Sequence, residues 1–272
     1  MDAINSHLLQ KNRWLKNIAE DGKVLQMSDE QMQFLLDGDE NGNVYSIMSI
    51  NRALSLPIFC QKHDQKFFRP FEVKELDLND EVHFLKLSYR AFCAKLAQEV
   101  RRNMFYNINP TINTMCRGEL FDEQRAYSNS TISVFDDYGK MLFVDAKSKN
   151  VSNYVFHVVK MPHISICLSD VIFQESDLWM STQNIEQKPL LYPIFVHALP
   201  YNDESVLIFG YDKRQSNERV QTMIDGWISC ADKKLILDEW LVKTNNWCVA
   251  PSYFGESVEL ACEDLMEMKL EY

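Results

Sequence analysis

The apolar positions between residues 78 and 100 recur at steps of three and four. Leu78, Val82, Leu85, Tyr89, Phe92, Cys93, Leu96 and Val100 form one stripe. That period predicts an amphipathic helix of about seven turns. Asp77 or Asn79 is expected to cap it, and Arg101 and Arg102 suit the negative end of its dipole. Upstream the pattern is shorter. Leu8, Leu9, Leu15 and Ile18 among polar neighbours predict a short helix within residues 1–20. EDGKVLQMSD (20–29) reads as a strand after an Asp-Gly turn. GDENGNVYSIMSI (38–50) repeats the idea, with Asn41-Gly42 as the turn and Val44, Tyr45 and Ile47 following. These two strands are expected to pair. The intervening 29–36 reads as a helical turn or loop.

Residues 106–130 are polar and interrupted by Asn-Pro, which predicts a loop or linker with a short helix. From Thr131 the character changes. Four β-branched or aromatic runs follow, at 132–139, 140–146, 153–160 and 163–170, and two more lie at 189–200 and 205–212. Turn residues divide them, which is antiparallel spacing. Three helical stretches come next. The first carries Val220, Met223, Ile224, Trp227 and Ile228, the second Leu237, Trp240 and Leu241, the third Val258, Ala261, Leu265 and Met268. The expected class is α+β. A helix-hairpin-helix region spans 1–125, and 131–272 holds an antiparallel sheet with three C-terminal helices.

Composition narrows the function. Across 272 residues, 39 acidic side chains against 28 basic ones leave a formal charge of −11. Non-specific nucleic-acid binding rests on phosphate neutralisation, so this balance disfavours it. No apolar run approaches the roughly 18 to 20 residues of a membrane span, and the N-terminus lacks a signal-peptide core. The 7 cysteines are scattered and several sit inside apolar runs. Reduced thiols and a cytoplasmic location are expected. P-loop, dinucleotide-binding, nucleophile-elbow and zincin motifs are all missing.

One local motif has metal-ligand spacing. Cys60-Gln61-Lys62-His63-Asp64 places a thiol and an imidazole where both can reach one ion from a tight turn. Zinc takes four ligands, so partners are needed. His7 and Asp64 are the nearer candidates, His83 and Cys116 the more remote. The plainer alternative makes Cys60 a small buried hydrophobe and His63 a turn cap. Phe67, Phe68, Pro70 and Phe71 follow as core packing or as a recognition surface. Glu72 is either an orienting partner for His63 or an exposed charge. Arg90 is either an exposed helix residue or a buried partner for Asp64 or Glu72. His157 and His197, on strand-like runs, are expected to be structural. Residues 245–254, rich in turn formers and aromatics, either line a pocket or dock as a loop through Trp247 and Tyr253.

The strings S-H-L-L-Q-K (6–11), D-G-K-V (21–24), F-C-Q-K-H-D-Q-K-F-F-R-P-F-E (59–72), S-Y-R-A-F-C (88–93) and N-N-W-C-V-A-P-S-Y-F (245–254) resemble a group of largely uncharacterised bacterial proteins. That group is distantly similar to treble-clef and HNH zinc proteins. The resemblance implies that Cys60 and His63 are zinc-knuckle ligands and that His7 matches the histidine that activates water in HNH sites. Longer members place a Cys-x-x-Cys pair ahead of the Ser-His; residues 1–5 hold none, which implies a degenerate site. The expected function is a non-catalytic interaction or regulatory protein of the bacterial cytoplasm, associated with defence or mobile elements. It would bind a protein partner or itself, with zinc as the one candidate cofactor. Two alternatives stand beside it: a metal-dependent HNH-like nuclease using His7, and a small-molecule enzyme with a pocket near 245–254.

Overall fold

The computed structural model describes residues 3–27, 45–69, 75–108, 119–175 and 191–253. Strand β1 (Ile4–His7) leads into a π-helical turn (Lys11–Leu15) and helix α1 (Lys16–Ile18). Strands β2 (Lys23–Met27), β3 (Tyr45–Ser49) and β4 (Ser55–Phe59) follow, then a turn of helix α2 (Gln61–His63) that continues as a π-helical turn (Asp64–Phe68). Helices α3 (Glu81–Ile108) and α4 (Glu119–Ser148) come next. After them run strands β5 (Tyr154–Pro162), β6 (Ile166–Glu175), β7 (Leu191–Tyr201) and β8 (Glu204–Asp212). Helices α5 (Glu218–Ser229) and α6 (Lys233–Lys243) and strand β9 (Trp247–Val249) complete the described chain. The class is α+β.

Among the described residues, seven strands form one antiparallel sheet in the order β3-β2-β9-β6-β7-β8-β5, while β1 and β4 form a separate pair. The expected pairing of the two N-terminal strands is present, with Lys23 opposite Ser49 and Met27 opposite Tyr45. The turn before β2 uses Asp21 and Gly22 at φ 48° and 71°, the left-handed backbone that an Asp-Gly pair tolerates. The Asn41-Gly42 turn, residues 29–36 and the helix expected from Val258 to Met268 lie outside the described residues.

Helices cover both faces of the sheet. Leu168, Ile172, Val196, Ala198, Leu207 and Phe209 meet Ile224, Trp227, Leu237 and Trp240 of α5 and α6. On the other face, Val171, Phe195 and Tyr154 meet Phe92 of α3 and Phe135 and Leu142 of α4. Burial on both faces explains why β6 to β8 read as almost unbroken apolar runs rather than alternating ones. The N-terminal unit joins the α3 face through Leu8, Trp14, Leu15, Leu56 and Phe68. Helix α4 runs across positions 125–131, and β2 joins β9 in the common sheet.

Four expectations need correction. Of the loop or linker expected at 106–130, residues 106–108 and 119–130 belong to α3 and α4. The runs at 132–139 and 140–146 are helix, not strand. Thr131, Phe135, Tyr138, Leu142 and Ala146 are buried at steps of three and four, with Asp145 buried beside Ala146. Their β-branched and aromatic content imitates a strand, and Gly139 imitates a turn. Gly139 instead lets α4 approach α3: a Cβ there would lie 3.1 Å from the Phe92 ring. The N-terminal stretch forms strand β1 before its helical turn, because β4 supplies a partner about fifty residues away. The α3 cap is Asp80, whose Oδ1 accepts from the backbone N–H groups of Val82 (3.0 Å) and His83 (3.4 Å). Asp77 accepts from Asn79 one turn earlier.

Gly210 sits on β8 where an added Cβ would run into the Val155 carbonyl oxygen and the Phe156 ring. Backbone cannot yield as a flexible side chain does. We expect Gly210→Ala to cost about 1–3 kcal/mol of stability, the range for overpacking a filled core. Chemical denaturation read by circular dichroism checks this; an unchanged midpoint would contradict the close approach.

Candidate functional site

The Cys60 turn is wound by two backbone hydrogen bonds. The N–H groups of His63 and Asp64 both donate to the Cys60 carbonyl, at 3.0 Å each. This winding puts side chains 60 and 63 on one side, with Cys60 Sγ and His63 Nδ1 3.3 Å apart. Tetrahedral zinc bound by one sulfur and one nitrogen needs them about 3.6 Å apart, from bond lengths of roughly 2.3 and 2.1 Å. The pair therefore stands within a few tenths of an ångström of a zinc-binding arrangement. Cys60 is half-buried, and Gln61, Lys62 and His63 are exposed.

The aromatic residues beside this turn pack inward. Phe68 stacks on Tyr89 of α3 with ring centres 6.1 Å apart, and Phe67 meets Tyr89 and Phe143 of α4 at 5.6 and 5.7 Å. Core packing is thus their role; Pro70, Phe71 and Glu72 lie outside the described residues. Arg90 is the buried partner, not the exposed residue. It is 1% exposed, its guanidinium lies 4.1 Å from the centre of the Phe68 ring, and its Nη2 donates to Asp64 Oδ1 at 3.2 Å. Tyr89 also reaches Cys93, whose thiol burial pushes up to about 12.

His7 ends β1. Burial is the largest cause that lowers its pKa, and the charges of Lys11 and Arg90 act the same way. The ring is therefore neutral at pH 7, and its Nε2–H donates to the Ile50 carbonyl at 3.2 Å, leaving Nδ1 as the acceptor. The strand register separates it from the turn. His7 faces Ser55, while Ile4 faces Phe59, next to Cys60. Five residue steps along β4, roughly 16 Å of extended chain, separate Ser55 from Cys60. His83, at the start of α3, is buried, and burial pushes its pKa down to about 4. Among the described residues no three of His, Cys, Asp and Glu gather as a metal site. The structure thus joins Cys60 to His63 and Asp64 to Arg90, and sets His7 and His83 apart. Cys116 lies outside the described residues.

Residues 247–249 are a strand rather than a loop. They are β9 in the middle of the sheet, with Trp247, Cys248 and Val249 fully buried. Asp170 holds the approach to that strand, accepting from the N–H groups of Asn245 (2.9 Å) and Asn246 (3.1 Å). A cavity of about 300 Å³ lies elsewhere, between α4 and the ends of β6 and β7, lined by Phe135, Tyr138, Met141, Phe173 and Pro193.

Two polar clusters join residues that the sequence reading did not bring together. His197 of β7 lies between Ser88 of α3 (3.2 Å from Nε2) and Ser169 of β6 (3.0 Å from Nδ1), and burial pushes its pKa down to about 3. Arg214 bridges two aspartates, Asp145 of α4 and Asp212 of β8. Tyr154 OH donates to Asp145 at 2.8 Å, and Tyr138 OH to Asp212 at 3.4 Å. Burial, with the neighbouring carboxylates, raises both phenols far above their ordinary value. Alternation carried a signal for the second cluster: Val206, Ile208, Gly210 and Asp212 share one face of β8, so Asp212 had to be buried and paired.

Comparison with models of protein families, with curated proteins and with solved structures finds no match. Among the described residues no helix is long and apolar enough to cross a membrane.

Proposed function

We propose that this chain is a non-catalytic interaction protein of the bacterial cytoplasm, in which Cys60 and His63 hold a structural zinc ion. Its partner is a protein or a second copy of itself, and on the resemblance of its motifs its proposed setting is genome defence or mobile-element biology. One observation carries the non-catalytic reading. Asp64, the carboxylate next in sequence to the Cys60–His63 pair, is committed to the buried guanidinium of Arg90. A catalytic divalent cation on that carboxylate would sit beside a fixed positive charge, which opposes its binding. Zinc held by Cys60 and His63 instead stiffens a surface turn that carries the aromatic core contacts of Phe67 and Phe68.

Elemental analysis of protein purified without a histidine tag tests the metal. Zinc is expected in the wild type, and Cys60→Ser is expected to lose it and to melt a few degrees lower. Equal metal content and equal Tm in the two proteins would end the structural-zinc reading. Supercoiled plasmid incubated with Mg²⁺ or Mn²⁺ is expected to stay intact.

A specific observation favours the nuclease as the second reading. His7 is neutral and anchored by a backbone carbonyl, with Nδ1 left to accept a proton, as a general base requires. Plasmid cleavage that disappears in His7→Ala and with chelator would favour it over the first.

A further inference from the structure

We propose that two copies of this chain share one zinc ion, each supplying Cys60 and His63, so that the metal is the bridge of a homodimer. The proposal rests on the structural-zinc reading above and adds who completes the site. The starting point is an imbalance in ligands. The Sγ–Nδ1 separation of 3.3 Å suits one edge of a zinc tetrahedron, yet the turn offers only that edge. All 6 histidines of the chain lie among the described residues, and none joins the pair with a third ligand. The carboxylate beside it, Asp64, already answers Arg90. Among the described residues, then, two coordination positions are left to be filled.

The placement of the turn says how. Gln61, Lys62, His63, Gln65 and Lys66 are all exposed, so the turn stands at the surface where another molecule can approach. A two-fold axis through the metal turns one Cys-His edge into the opposite edge, giving two thiolates and two imidazoles. That set is a normal structural zinc site, and the two-fold arrangement is the commonest for homo-oligomers. Charge also balances: two thiols release two protons, and the two thiolates neutralise Zn²⁺. The alternative source within the chain is Cys116, Cys262 or a carboxylate such as Glu72, all outside the described residues.

Stoichiometry and mass separate these cases. Full-length protein is stripped with chelator, titrated with Zn²⁺, and followed by light scattering after gel filtration. A parallel titration uses Co²⁺, whose tetrahedral thiolate sites absorb visible light. We expect the mass to double from 31.9 kDa and both signals to saturate at half an equivalent of metal per chain. Chelator should restore the single-chain mass. Cys60→Ser and His63→Gln should stay single-chain at all metal levels, while His7→Ala should dimerise as the wild type does. One zinc per chain on a single-chain species would overturn the shared site while sparing the structural-zinc reading. A dimer that survives chelator or Cys60→Ser would overturn it too. Absence of any zinc or cobalt binding would overturn both.

Discussion

Arg214→Met is expected to lower folding stability by about 2–3 kcal/mol, less than for a fully buried ion pair, because the Arg214 side chain is itself 31% exposed and water screens part of the loss. The guanidinium donates to Asp145 Oδ2 at 2.6 Å and to Asp212 through Oδ2 at 2.7 Å and Oδ1 at 2.9 Å. The Asp212 side chain is fully buried and that of Asp145 is 9% exposed. Without the cation, two carboxylates share one low-dielectric corner between α4, β5 and β8. The tyrosine hydroxyls of 138 and 154 remain as donors, but they carry no compensating charge. In the variant, mutual repulsion and desolvation then favour the protonated acids over the charged ones. Its deficit against the wild type should therefore shrink as pH falls towards 4. Asp145→Asn placed in the Arg214→Met background should recover part of the loss, because it removes one of the two uncompensated charges. Urea denaturation of the three proteins at pH 7 and pH 4.5 measures all of this. A loss below about 1 kcal/mol at pH 7, the worth of an exposed surface pair, would show that the cluster is not held together by Arg214.

Acid should unfold this protein partly through His197. Its imidazole is fully buried between two serine hydroxyls, and among the described residues no acidic side chain offsets the charge that protonation would bring. The unfolded ring takes a proton near its ordinary value of 6.5, and the folded ring only near 3. Between those values the unfolded chain binds more protons. Stability is therefore complete above pH 6.5, falls by up to tenfold in the unfolding equilibrium constant per pH unit below it, and levels off near pH 3. From pH 7 to pH 4.5 this one residue accounts for about 2 to 3 kcal/mol. His83 acts in the same direction with a folded value of about 4, so the informative quantity is a difference between proteins. His197→Gln keeps a donor and an acceptor for Ser88 and Ser169 without the proton-binding site. It should be less stable than the wild type at pH 7 yet lose less on going to pH 4.5. Parallel pH profiles for the two proteins would show that His197 does not report on folding.

Some of the candidate site was legible because its signals are local. Cys60 and His63 are three residues apart, and a single turn of helix brings them together whatever the rest of the fold does. Arg90 was placed beside the apolar stripe of α3, and the pairing with Asp64 was one of the two options the pattern allowed. The stripe from Leu78 to Val100, the Asp21-Gly22 turn and the runs that became β5 to β8 were equally readable, since each element's period is written in its own residues.

What the local pattern missed depends on contacts across the chain. The same β-branched and aromatic residues at 132–146 suit a strand by composition and a helix by period; packing against Phe92 selected the helix. Whether His7 joins Cys60 is a matter of register between β1 and β4, and the register sets them at different ends of the pair. Residues 245–254 looked like a loop because Asn245 and Asn246 are turn formers; Asp170, about 75 residues earlier, captures their N–H groups and delivers Trp247 into the sheet.

By itself, then, the amino-acid order determined the class, most strands, three helices and the Cys60–His63 edge, because periodicity and short spacing need no distant partner. Only the tertiary structure decided that Asp64 belongs to Arg90, that His197 sits neutral between two serines, and that Asp145 and Asp212 converge on Arg214. Those choices are made by burial: a charge or an imidazole withdrawn from water must meet its counterpart, and which counterpart is near is a property of the fold.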